Sequence, residues 1–187
     1  MSPFWQSFFF IAAAELGDKS QLLSLAFAAR FSARTVLTGI GVATLLVQLL
    51  SVTLGELVGL ALPQFWVAIG AGLAFLGFGL WTLREDTQED EAIKPRLRLG
   101  PFLTVVTAFA LAELGDKTML ATVALASQHR AFVPVWLGSA LGMAAANGLA
   151  ILVGSLAGHR LPERAIRYGV VALFILTGLL TIGRAFL

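Results

Sequence analysis

The sequence predicts an all-α integral membrane protein, six transmembrane helices arranged as a 3+3 inverted repeat. Three observations predict it. Of 187 residues, 58% are hydrophobic and the mean hydropathy is +0.86. Charged residues make up 13%, against about 25% in soluble domains. The segment Ala14-Glu15-Leu16-Gly17-Asp18-Lys19-Ser20 recurs as Ala112-Glu113-Leu114-Gly115-Asp116-Lys117-Thr118, each copy inside a long apolar stretch.

A helix needs about 20 apolar residues to cross the hydrocarbon core. Six stretches meet that length: 4–28, 35–61, 65–83, 101–126, 133–157 and 164–185. The first carries Glu15, Asp18 and Lys19 and lacks a basic leader, so it reads as a mature span and not as a signal peptide. Between the third and fourth stretches, residues 84–100 hold Glu85, Asp86, Glu89, Asp90, Glu91, Lys94, Arg96 and Arg98. They form a charged linker between a first repeat (1–83) and a second (101–187). The duplication runs past the motif: Gly39 matches Gly138, Gln48 matches Asn147, Gly55 matches Gly154 and Pro63 matches Pro162. An odd number of spans per repeat makes the second copy enter from the opposite side, a construction common in secondary transporters.

Loop lysines and arginines set the orientation. Arg30, Arg34, Arg84, Lys94, Arg96, Arg98, Arg160, Arg164 and Arg167 fall on one side, and only Arg130 and Arg184 on the other. The first group is expected in the cytoplasm, with the linker, and both termini outside the cell membrane. The scattered arginines make no nucleic-acid face. Cysteine is absent, which excludes thiolate metal sites and cysteine nucleophiles. Small-residue pairs such as Gly138 and Gly142 suit close helix packing, and a homo-oligomer is compatible with such surfaces.

Ionisable residues at bilayer depth are costly and mark function. Glu15 is the twelfth residue of its stretch, near the midplane at 1.5 Å per residue, and Glu113 has the same depth. On a continuous helix Glu15, Asp18 and Lys19 project within about 100° of arc. Ion pairs Glu15–Lys19 and Glu113–Lys117 then follow from the four-residue spacing. Gly17 or Gly115 would also permit a local break, and an intact helix with a small residue serves equally well. Convergence of Glu15, Asp18, Glu113 and Asp116 with Lys19 and Lys117 gives a formal charge of −2, the complement of one divalent cation. Oxygen donors suit Ca²⁺, Mg²⁺ and Mn²⁺. Gln48 and Asn147, at matching mid-span positions, read equally as amide ligands or as an interhelical hydrogen bond. Ser20, Gln21, Thr118 and Thr122 stand behind the acids, Met119 reads as space-filling, and Glu56 as an interfacial acid. No nucleophile or separate general base is present, so no enzyme and no resident cofactor are expected.

The doubled Glu-x-Gly-Asp-Lys-Ser/Thr pattern resembles the family of cation/proton exchangers that includes bacterial manganese exporters and Golgi manganese/calcium transporters. The resemblance covers essentially the whole chain. It implies that Glu15, Asp18, Glu113 and Asp116 bind the cation, and that Gln21 is the polar residue following the motif. Met119 departs from the pattern in the second copy. It further implies export of Mn²⁺ or Ca²⁺ from the cytoplasm against protons. An exporter of a cationic amino acid and a cation channel are the alternatives that the residues themselves leave open.

Overall fold

The computed structural model describes residues 2–16, 18–84, 100–157 and 163–186. Within them lie eight helices: α1 (Pro3–Glu15), α2 (Lys19–Ala28), α3 (Ala33–Ala61), α4 (Gln64–Arg84), α5 (Pro101–Glu113), α6 (Lys117–His129), α7 (Phe132–Ala157) and α8 (Glu163–Ala185). Local chemistry sets their ends. Pro3 and Pro101 open α1 and α5, where a missing N–H costs nothing. The Ser32 side chain caps α3 by accepting from Thr35 N at 3.3 Å, and α3 closes at Leu62, just before Pro63.

This corrects the expected six spans in two triplets. Among the described residues four helical segments are long and apolar enough to cross a membrane: Ala33–Ala61, Gln64–Leu83, Phe132–Leu149 and Arg167–Ala185. The stretches 4–28 and 101–126 are not continuous helices. Each is broken at the charged motif, into α1 and α2 and into α5 and α6. Each half of the chain thus contributes four helices. The multi-pass membrane character stands on the four long ones, whose outer surface carries Leu57, Leu60 and Trp66, all well over half exposed.

The halves interlock. The long helix α7 lies along α1, and a Cβ added at Gly138 or Gly142 would collide with the Phe4 or Phe8 carbonyl. The long helix α3 lies along α5 and α6, with Gly39 against Val105 and Phe102, and Gly55 against Val123 and Ala126. Gly39 and Gly138 are matched residues of the duplication, and so are Phe102 and Phe4. Lipid supplies no hydrophobic drive between helices, so close backbone approach of this kind carries the association. Helices α4 and α8 pack antiparallel, Phe65 against Phe186 at one end and Gly79 against Phe174 and Ile175 at the other. They join the rest through α6, where Gln64 Nε2 donates to Gln128 O at 3.2 Å, and through Phe10, whose ring lies 5.1 Å from Phe75 and 5.3 Å from Phe174. Of the expected linker, 84–100, residues 85–99 lie outside the described residues, as do His159 and Arg160.

A candidate cation site at two broken helices

Each motif ends one helix and starts the next. Glu15 and Glu113 are the last residues of α1 and α5. The chain then turns tightly, with Asp18 N donating to Glu15 O at 3.1 Å and Asp116 N to Glu113 O at 3.2 Å. Gly115 makes its turn at φ +83°, a conformation that L side chains rarely take. Its N–H donates to Met119 Sδ at 3.2 Å. Met119 therefore supports the turn, a role that space-filling alone does not describe. Asp116 caps α6, its Oδ2 accepting from Thr118 N at 3.1 Å.

The break undoes the expected single charged stripe. An acid at a helix C-terminus faces the negative end of the dipole, and an aspartate at the next N-terminus faces the positive end. The lysine that follows is unfavourable there, and it takes its compensation from elsewhere. Lys117 Nζ lies 2.7 Å from Asp18 Oδ1, with both side chains buried. The ion pair crosses between the two motif copies. The spacing argument presumed a continuous helix, and the helix ends at Glu113.

Glu15 is fully buried and Glu113 is 1% exposed. Asn147 on α7 donates from Nδ2 to Glu15 Oε1 at 3.2 Å and to its own helix at Met143 O, 3.1 Å. Its Oδ1 accepts from Ser24 Oγ at 3.3 Å. Asn147 thus bonds across to α1 and α2. Gln48, its counterpart on α3, is also fully buried. Gln48 Nε2 donates to Met143 Sδ at 3.7 Å, while Oε1 has no hydrogen-bond partner among the described residues. The Thr118 hydroxyl lies 3.0 Å from Asp116 Oδ2 and 3.3 Å from Glu113 Oε2.

Acids of both copies act on one another. Glu113 is repelled by Glu15, Asp116 and Asp18, Glu15 most strongly. Among the described residues, no three acid or histidine side chains already close as a metal cage. The arrangement is a set of hard oxygens in which an ammonium, Lys117, occupies one carboxylate. The side chains of Lys19, Ser20 and Gln21 lie outside the described residues. Glu56 is half-buried on α3. Ser24 was not anticipated, although its match to Thr122 in the duplication would have pointed to it. Met143, which receives the Gln48 amide, gives no sign of itself in the sequence.

The family model for the "Divalent cation/proton antiporter GDT1" matches twice, over residues 3–90 and 101–187. The chain belongs to this family. Its members are transporters, and the chain is accordingly a transport protein of the membrane and not an enzyme. A Vibrio cholerae protein named "Putative manganese exporter" is 38% identical over 177 residues, covering 91% of this chain and 86% of its own. "Protein PAM71, chloroplastic" of Arabidopsis thaliana is 32% identical, covering 97% of this chain and 56% of its own. The "GDT1-like protein sll0615" of Synechocystis is 30% identical, covering 89% of each. No solved structure matches the chain.

Proposed function

We propose that this protein exports Mn²⁺, with Ca²⁺ as a second substrate, from the cytoplasm in exchange for protons. Glu15, Asp18, Glu113 and Asp116 bind the ion, with Gln48 adding a neutral oxygen. The observation that carries the reading is the meeting of the two motif copies: a buried lysine of one on an aspartate of the other, beside mutually repelling glutamates. Such a set holds a divalent cation or protons on the same oxygens, which makes their exchange obligatory. Lys117 and Lys19 remain charged counter-ions, and Thr118, Ser20 and Gln21 orient the acids. The manganese named for the Vibrio relative supports the choice of ion.

The test uses proteoliposomes with a pH dye inside. Mn²⁺ entry should drive proton exit, and apparent Mn²⁺ affinity should fall as pH drops. Flux without proton counterflow would replace this reading with a channel. Competition by lysine or arginine, but not by Ca²⁺, would replace the cargo with a cationic amino acid.

The membrane assigned is the cell membrane, with both termini outside and 84–100 inside. The loop charge bias supports this sidedness. So does the shared location of the start of α1 and the end of α8, where Gln6 and Arg184 line one cavity. Single cysteines at Ser2 and Gln88 should label from opposite faces; labelling from one face would refute it.

A further inference from the structure

At the end of the molecule that holds both termini, a cavity of ≈ 1100 Å³ opens between α1, α4, α6 and α8. Part of its lining is apolar: Phe9, Phe10, Leu173 and Leu180. Its other lining is basic or polar: Arg184, His129 and Gln128. Among the described residues no carboxylate pairs with Arg184. Gln128 Nε2 and His129 Nε2 are buried and have no hydrogen-bond partner there. A buried donor left without an acceptor costs about 1–3 kcal/mol.

We propose that this cavity binds an anionic phospholipid, its phosphate against Arg184 and its acyl chains along the phenylalanine and leucine wall. Three comparisons select that occupant. A metal cation on its way to the acids would meet the positive Arg184 and, beside neutral polar side chains, no carboxylate in the lining. A free phosphate satisfies the donors but leaves the apolar wall uncovered. The cavity already exceeds the ~300–1,000 Å³ typical of small-molecule sites. A phospholipid supplies both an acceptor for the donors and chains for the apolar lining, of which Leu173 and Leu180 belong to α8, one of the four helices long and apolar enough to cross a membrane.

The full-length protein in detergent would be titrated with phosphatidylglycerol, phosphatidylcholine and inorganic phosphate, and occupancy read by native mass spectrometry. Phosphatidylglycerol should bind about fivefold more tightly than phosphatidylcholine, the increment of one basic side chain near a headgroup. Arg184→Gln should erase that preference. Leu180→Trp, which fills the cavity from α8, should weaken both lipids. Both positions are exposed on α8, and an unchanged melting temperature establishes that the variants are folded. Equal affinity for the two lipids, or a preference that survives Arg184→Gln, would overturn the proposal. So would inorganic phosphate that binds without displacing lipid.

Discussion

The heptapeptides 14–20 and 112–118 differ only in their last residue, serine against threonine, and the described contacts of their acids differ. The acids of the first copy are held by the other half of the chain: Glu15 by Asn147 of α7, and Asp18 by Lys117 of α6. The acids of the second are held from within, Glu113 and Asp116 by the Thr118 hydroxyl. The matched amides diverge in the same way. Asn147 reaches a glutamate, whereas Gln48, longer by one methylene, reaches a methionine sulfur. Among the described contacts, then, the matched amides Asn147 and Gln48 have unlike partners. An ion that takes an oxygen from Gln48 needs no bond broken, whereas one that takes Asp18 must displace an ammonium.

Breaking the cross-copy ion pair should have the largest effect. Lys117→Met leaves a buried Asp18 without that ammonium, a loss of about 3–5 kcal/mol read as a lower denaturation midpoint. Adding Asp18→Asn should recover most of it; a double variant as unstable as Lys117→Met alone would show that the pair is not what holds the copies together. Next comes the contrast between amides. Asn147→Leu should cost about 1.5–3 kcal/mol, because its bond to a carboxylate is lost. Gln48→Leu should change stability by less than about 1 kcal/mol yet lower apparent Mn²⁺ affinity about tenfold, one ligand's worth. Unchanged affinity in Gln48→Leu would remove it from the site.

The turn sharpens the comparison further. Gly115→Ala, at positive φ, should destabilise by about 1–2 kcal/mol. Gly148→Ala, where a Cβ meets open space on a helix, should stabilise by about 0.5–1 kcal/mol. Equal melting shifts for the two would mean that the turn is not held as described. Smallest of all, Thr118→Val should cost about 1 kcal/mol, whereas Thr118→Ser, the residue of the first copy, should melt like the parent.

The sequence made the duplication and the identity of the acids legible, because carboxylates repeated in apolar stretches have few reasons to exist. It concealed the helix break. Glu-x-Gly-Asp-Lys fits a continuous helix by spacing, and only the tertiary setting puts Gly115 at φ +83°. Six apolar stretches consequently read as six spans where eight helices stand, four of them long enough to cross. The partner of Lys117 was concealed for the same reason. Four-residue spacing argues for Glu113, and once the helix ends at that residue the rule no longer applies. The hydrogen bonds of Asn147 depend on how α7 lies along α1, which hydropathy does not encode.

The interlocked halves also bear on how the chain is made. Asp18 leaves the ribosome about a hundred residues before Lys117, and Glu15 still longer before Asn147. At ~5–20 residues per second, the first half waits roughly 5–20 s for its counter-charge. During that interval the nascent helices α1–α4 carry acids that pure lipid would not tolerate. The translocon, or water near it, must shelter them until α6 and α7 arrive.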